Sequence, residues 1–471
     1  MALKSDTIAA VATALNDSGI GIIRVSGDEA ISIVNRIYKS NGENRLLDFH
    51  SHTIHYGFIY DENELIDEVM VSVFKAPKSY TTEDTVEINC HGGVLVIRKV
   101  LDLVIKNGAR AAAPGEFTKR AFLNGRIDLS KAEAIMDMIY AKNDFALKSS
   151  IKQIRGNLYE LIQSLRSEIL YEIAFIESAL DDPEHISLDG YQNRLMEKND
   201  ILISKVNKLY LTADNGKILK EGINTVIVGK PNAGKSSLLN VLIGEEKAIV
   251  TDIAGTTRDI IEERISLSGI GLNIIDTAGI RSTDDIVEKI GVDRAKACAE
   301  KADLVIYVVD SSVELDQSDK AILELIQHKK VIVLLNKSDL TPVITEDMLR
   351  LYLNSSLPDF VLSDKEIQII KTSVKKEDGI DLLINAIQEM FFSGQIQIND
   401  EVMLTNLRQK EAVKDALDSL LMVKKSLEDN MPEDFLSIDL MGAYSSLGLV
   451  VGEEVGEAVV NEIFSKFCMG K

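Results

Sequence analysis

Thr225-Val226-Ile227-Val228-Gly229-Lys230-Pro231-Asn232-Ala233-Gly234-Lys235-Ser236 runs from a β-branched apolar stretch into a glycine-rich loop, and Ser237 to Leu242 reads as the helix that follows. This is GxxxxGK[ST] in the strand, loop and helix context it requires. The glycines let backbone N–H groups close around phosphate oxygens. Lys235 brings a point charge to the β and γ phosphates, and Ser236 a hydroxyl for Mg²⁺. The helix N-terminus adds its own preference for an anion, so Asn232, Ala233, Gly234 and Ser237 join the candidate phosphate site.

Outward from this loop, the runs NTVIVG, LNIID, LVIYVVD and VIVLLN alternate with helical stretches, the pattern of a buried parallel sheet. Asp276-Thr277-Ala278-Gly279 follows LNIID, which puts a carboxylate at a strand end to hold metal-bound water and a glycine near the γ-phosphate. Asn336-Lys337-Ser338-Asp339 follows VIVLLN. Its terminal carboxylate can accept from guanine N1–H and N2–H₂ together, a pair adenine does not offer, so GTP is the expected nucleotide. Thr372-Ser373-Val374, with Lys375 next, follows IQIIK and could aim a backbone N–H at guanine O6.

The hydrolytic apparatus must differ from that of Ras-like enzymes, in which a Gln orients water and an arginine finger neutralises charge. After Asp276-Thr277-Ala278-Gly279 stands Ile280, an apolar side chain unable to position water. Asn232 and the loop Thr251-Asp252-Ile253-Ala254-Gly255-Thr256-Thr257-Arg258-Asp259 could wrap a K⁺ that takes the place of the finger. Thr257 would be a Mg²⁺ ligand. Glu288 lies in the polar stretch Ser282 to Lys289 and could orient water; spacing alone reads it first as a solvated helix-face glutamate.

The 471 residues suffice for several domains, and 45% apolar with 27% charged residues describes an ordinary globular chain. With 52 Lys+Arg against 74 Asp+Glu the net charge is −22, which disfavours an unaided grip on nucleic acid. No uninterrupted apolar run approaches the ~18 residues of a membrane span, the N-terminus lacks a signal-peptide core, and Cys90, Cys298 and Cys468 lie far apart. A reducing, cytoplasmic setting without membrane attachment is therefore expected.

Before about residue 118, strands (Gly19 to Gly27, Thr53 to Tyr60, Glu68 to Phe74, Thr85 to Cys90) alternate with helical stretches Asp28 to Tyr38 and Val94 to Lys106, an α+β domain. Ile151, Ile154, Leu158, Leu161, Leu165, Ile169, Ile173 and Ile176 then mark one stripe of a long helix, which Asp181-Asp182-Pro183 ends. A second helical stretch runs to about Asn215. Helical pattern returns after about 392. The expected fold class is multidomain α/β: an N-terminal α+β domain (1–118), a helical bundle domain in two parts (119–219 and 393–471), and an inserted Ras-like P-loop GTPase domain (220–392).

With these motifs, Gly115 to Ile135 (GEFTKRAFLNGRIDLSKAEAI), the loop TDIAGTTRD and the terminal Phe467-Cys468-Met469-Gly470-Lys471 resemble the MnmE (TrmE) family of tRNA-modification GTPases, over the full length. The resemblance implies a homodimer that works with the FAD-dependent partner MnmG on the wobble uridine C5 of certain tRNAs. It also implies a 5-formyl- or methylene-tetrahydrofolate one-carbon unit, with FAD on the partner and not on this chain. It makes Asn232, Thr251, Ile253 and Thr256 ligands of K⁺, Ser236 and Thr257 ligands of Mg²⁺, and Glu288 the water-orienting carboxylate. It assigns folate binding to Arg24, Glu87, Arg126 and Lys471, and makes Cys468 a possible reactive thiol, with a buried small hydrophobe as the alternative. The family commonly has Lys at Arg126, Ile at Met469 and Ala at Val374. A ribosome-assembly GTPase binding rRNA, the competing reading, should carry a basic KH-type module, and none is evident.

Overall fold

The computed structural model describes all residues except 1–5, 41, 43–44, 142, 246–262, 268, 276–299, 328, 357–366, 393–401, 454, 468–469 and 471. The chain forms two compact units. One comprises Met1–Ile139, Lys152–Ile203 and Ala412–Lys471; the other comprises Tyr140–Ile151 and Ser204–Glu411.

In the first unit, β1 (Ile8–Val11), β2 (Ser18–Ser26), β3 (Tyr38–Lys39), β4 (Thr53–Asp61), β5 (Glu64–Phe74), β6 (Thr85–Gly92) and β7 (Arg110–Ala111) make a seven-stranded sheet in the order β3-β4-β5-β6-β2-β1-β7. Only the β1–β7 pair is parallel. Alternate residues such as Ile23, Val25, Val71, Val73, Val86 and Ile88 turn to one face and meet the helices Ala30–Ile37 and Val94–Lys106. Register places Arg24 of β2 directly opposite Glu87 of β6.

The same unit holds the helices Asn157–Asp181 and Glu433–Val451, which pack against each other. Leu158, Ile162, Leu165, Ile169, Ile173 and Ile176 face inward on the first, Leu436, Leu440, Ala443, Leu447 and Val450 on the second. The single long helix expected from Ile151 onward is instead two, Asp144–Arg155 and Asn157–Asp181. Gly156 separates them at φ +100°, a left-handed backbone that breaks the ladder while the apolar spacing carries on. Ile151 is exposed, and Ile162 takes a buried place where the stripe pointed to Leu161. Glu433–Val451 is long and apolar enough to cross a membrane by length and composition alone; its buried stripe against Asn157–Asp181 is how a bundle helix disposes of such residues.

In the second unit, β8 (Ile223–Val228), β9 (Glu263–Leu267), β10 (Ile270–Ile274), β11 (Leu304–Asp310), β12 (Lys330–Asn336) and β13 (Gln368–Lys371) form a sheet in the order β13-β12-β11-β8-β10-β9. All pairs are parallel except β9 with β10. Both faces are covered, which is why the strands read as unbroken apolar runs. Leu304, Ile306 and Val308 pack on one side with Leu238, Leu242 and Leu383; Val305, Tyr307 and Val309 pack on the other with Leu323, Ile326 and Leu349.

This unit reaches beyond 220–392 because flanking segments are fastened to it. The Asn273 side chain donates to Glu221 O at 2.9 Å, at the end of the helix Tyr191–Glu221, and Thr212 Oγ1 accepts from Leu404 N at 3.2 Å. Phe145 packs so closely on Gly269 that a Cβ there would lie 2.6 Å from its ring.

One ion pair on the first sheet sets a pH dependence. His91 Nδ1 lies 2.6 Å from Asp67 Oδ1, and that hydrogen bond raises the imidazole above its ordinary value. A raised folded-state value gives a contribution fully present below about pH 6.5 and lost as pH climbs through the folded value. Asp67→Asn should bring the His91 titration midpoint, followed by NMR, back down toward that of a free histidine; an unchanged midpoint would show that the pair does not set it.

Candidate active site

The loop between β8 and the helix Lys235–Glu245 sits at the carboxyl end of the parallel sheet, where β11, β12 and β13 also end. Asn232 and Gly234 have φ of +62° and +108°, which curl the loop. Gly234 is fixed by space as well: a Cβ would stand 2.2 Å from Asn336 Nδ2. Lys235 Nζ donates to Gly229 O and Lys230 O, both at 2.8 Å, and burial pulls its ammonium below the ordinary lysine value. Ser236 and Ser237 are exposed at the helix start.

The guanine motifs are tied to this loop through one side chain. Asn336 Nδ2 donates to Ala233 O at 2.8 Å, and its Oδ1 accepts from Val374 N at 3.1 Å. Ser338 N donates to Thr372 O at 3.1 Å, joining the second pair of loops. Ser373 Oγ donates to Asp339 Oδ1 at 2.8 Å, and this bond holds the Asp339 carboxyl below its ordinary value against a smaller opposing effect of desolvation. Ser373 N and Val374 N, the amides of the last motif, are thus both engaged within the site, the former by Asp378 O. Lys375 is exposed beside them.

Lys337, at φ +63°, sets its Nζ 2.5 Å from Asp310 Oδ2. Burial pushes the Asp310 carboxyl up, and the hydrogen bonds from Lys337 and Ser312 outweigh it, so the group stays ionised. Asp310 went unrecognised in the sequence, where it reads only as the last residue of LVIYVVD. Asp276 to Gly279, Thr251 to Thr257 and Glu288 lie outside the described residues. Asn232 is therefore the one K⁺ candidate described, and Ser236 the one Mg²⁺ candidate. Among the described residues no group of three or more His, Cys, Asp or Glu is placed to hold a metal.

A second cluster lies on the face of β2 and β6 turned away from the helices Ala30–Ile37 and Val94–Lys106. Arg24 Nε and Nη2 reach Glu87 Oε1 at 2.8 and 2.7 Å, and Nη1 donates to Gly470 O at 3.1 Å. The Arg24 guanidinium is 5.2 Å from the centre of the Tyr80 ring and 5.7 Å from that of Phe117. Arg126 lies 4.9 Å from the same Tyr80 ring and donates to Tyr80 O at 2.8 Å. Three of the four residues expected to bind folate are thus linked in one cluster, Arg24 and Arg126 both against the Tyr80 ring, which the sequence did not single out, and Glu87 through its pair with Arg24. Lys471 and Cys468 lie outside the described residues. A pocket of about 470 Å³ opens near the helix Glu116–Leu123, lined by Arg110, Glu116, Lys119, Arg120, Asn461 and Phe464 among others, and none of Arg24, Glu87 or Arg126 lines it. Cys90 is buried, which raises its thiol to about 11 and leaves it unreactive at neutral pH.

A parallel sheet with this loop, this helix and these guanine motifs defines a P-loop GTPase, here joined to an N-terminal α+β sheet and a helical bundle. The family model "GTP-binding protein TrmE N-terminus" matches residues 7–126, and "MnmE helical domain" matches 129–468. A "tRNA modification GTPase MnmE" from Lachnoclostridium phytofermentans is 53% identical over the whole of both chains. One from Bacillus pumilus is 45% identical over 99% of this chain and all of its own. Among solved structures, Era from Aquifex aeolicus is 27% identical, covering 43% of this chain and 67% of that one with a TM-score of 0.27. The chain belongs to the MnmE family of tRNA-modification GTPases, and hydrolysis of GTP is its reaction.

Asp339→Asn should weaken the preference for guanine by removing the acceptor of two N–H groups, about 1.5–3 kcal/mol for each charged hydrogen bond. Ser373→Ala removes only what orients that carboxylate, at about 1 kcal/mol. Competition titrations with GTP, ITP and XTP should order wild type, Ser373→Ala and Asp339→Asn by falling selectivity; equal selectivity in all three would remove the assignment.

Proposed function

We propose that this chain couples GTP hydrolysis to modification of the wobble uridine C5 of certain tRNAs, adding a carboxymethylaminomethyl- or aminomethyl-type group together with MnmG. The observation that carries the reading is the cluster in which Arg24 and Arg126 share the Tyr80 ring and Glu87 pairs with Arg24. This donor set suits a folate: the Glu87 carboxylate can accept paired N–H groups from a pterin edge, and the guanidinium groups can stack on a flat ring or meet tail carboxylates. Tetrahydrofolate, in its 5-formyl or methylene form, would supply the one-carbon unit, and FAD would be held by MnmG. Within this chain Arg24 and Arg126 bind and orient, Lys471 adds a further cation, and Tyr80 gives the ring a face to rest on.

On the nucleotide side, Lys235 and the loop amides hold the phosphates while Asn336 and Asp339 frame the base. Ser236 and Thr257 would hold Mg²⁺, and Asn232, Thr251, Ile253 and Thr256 would hold K⁺. The K⁺ would supply the positive charge that an arginine finger supplies elsewhere. Glu288 orients the attacking water, the task for which Ile280 is unsuited. Two copies bring their GTPase domains together as a homodimer. With a net charge of −22 the chain reaches tRNA through the complex with MnmG, in the cytoplasm.

Two measurements test this. Mass spectrometry of wobble uridine in cells carrying Arg24→Ala should show loss of the modification, and the purified full-length variant should bind 5-formyl-tetrahydrofolate at least tenfold more weakly; wild-type binding and modification would defeat the folate assignment. Glu288→Ala should slow single-turnover hydrolysis by about 10²-fold or more in K⁺ with GTP affinity near wild type, since the residue acts only on the attacking water. A wild-type rate in K⁺, or a wild-type enzyme equally fast in Na⁺, would return Glu288 and the cation loop to ordinary surface roles.

A further inference from the structure

Lys230 occupies a position of the phosphate loop at which GxxxxGK[ST] specifies no residue type. Its Nζ lies 2.7 Å from Asp319 Oδ2 and 3.1 Å from Asp316 Oδ2, and it donates to Glu314 O at 3.2 Å. The Asp319 side chain is 1% exposed. A carboxylate so deep is stable only when paired and hydrogen-bonded, and this one is: Tyr307 on β11 donates to Oδ1 at 2.7 Å, and Asp316 N donates to Oδ2 at 2.9 Å. Burial draws the Lys230 ammonium down, and Asp319 and Asp316 more than restore it, so it remains charged.

The same residue touches the phosphate-binding lysine from its other end. Lys235 Nζ donates to the carbonyl oxygens of Lys230 and Gly229. One residue therefore links the group that meets the nucleotide to a buried acidic post on the helix Gln317–Ile326, tied to the sheet by Tyr307. Without that post the turn Gly229 to Pro231 would be held from its side chains only by the Lys235 ammonium, which must leave it for phosphate, and its ordering would have to accompany nucleotide binding.

We propose that Lys230 is a positioning residue for GTP binding, whose ion pair with Asp319 pre-orders the first turn of the phosphate loop so that Lys235 is already aimed when phosphate arrives. Lys235 then exchanges two carbonyl partners for phosphate oxygens while the loop keeps its shape. This role belongs to ground-state binding and touches no reacting atom, so its loss appears in affinity and not in turnover at saturation.

Lys230→Met keeps the stem and removes the charge. KM for GTP and Kd for GDP should both rise about tenfold, with kcat within about twofold of wild type, when measured well below the unfolding midpoint of each variant. Lys230→Arg should recover most of the affinity, because a guanidinium can bridge the same two carboxylates. The double variant Lys230→Met/Asp319→Asn removes the stranded buried charge and should regain thermal stability while keeping the raised KM. An unchanged KM in Lys230→Met, or a KM that recovers together with stability in the double variant, would overturn the proposal.

Discussion

The side-chain amide of Asn336 is the interaction on which the nucleotide site depends. It is 2% exposed and bridges the phosphate loop, through Ala233 O, to the last guanine motif, through Val374 N. Leaving either partner unsatisfied at that depth would cost about 1–3 kcal/mol, so the two loops cannot drift independently. The absence of a side chain at residue 234 follows from the same contact, since Asn336 fills the space a Cβ would need. Phosphate recognition and base recognition are in this sense one structure, with Asn336 as its common member.

That member is available because four strand ends converge. Parallel pairing of β8, β11, β12 and β13 delivers Gly229, Asp310, Asn336 and Thr372 to the same edge of the sheet. Each loop then adds a lock of its own: Lys337 to Asp310, Ser338 to Thr372, Ser373 to Asp339. The locks are polar and local, and they sit on a layer of Val, Ile and Leu that is dry on both faces. Rigid strands beneath short hydrogen-bonded loops are what let a site hold its geometry without ligand.

The convergence of these loops was legible in the sequence because GxxxxGK[ST] and Asn336 to Asp339 mark strand-end loops by residue type and spacing. The sheet was legible too, as runs of β-branched residues. What spacing could not reveal were partnerships between distant positions. Nothing in LVIYVVD marks Asp310 as the partner of Lys337, and nothing around Tyr80 marks it as the surface that Arg24 and Arg126 approach. The break at Gly156 was hidden for a different reason. Apolar residues keep a helical period across it, and periodicity reports which face is buried without reporting whether the backbone between two turns is continuous.

The cluster around Arg24 shows the same limit in its extreme form. Arg24 belongs to the second strand of the chain, Glu87 to the sixth, and Gly470 to the last residues, yet one guanidinium contacts both of the others. Cross-strand register accounts for the first contact, since residues 24 and 87 are paired opposite one another. The second requires the C-terminal segment to return to the N-terminal sheet, and close packing directs that return. Gly115 stands where a Cβ would strike Phe464 O, and Gly470 where one would strike Val11 O, so the terminal segment lies hard against both the helix Glu116–Leu123 and β1. The two ends of the chain therefore meet at Arg24, and Gly470 contributes through its position, delivering a backbone carbonyl to that guanidinium.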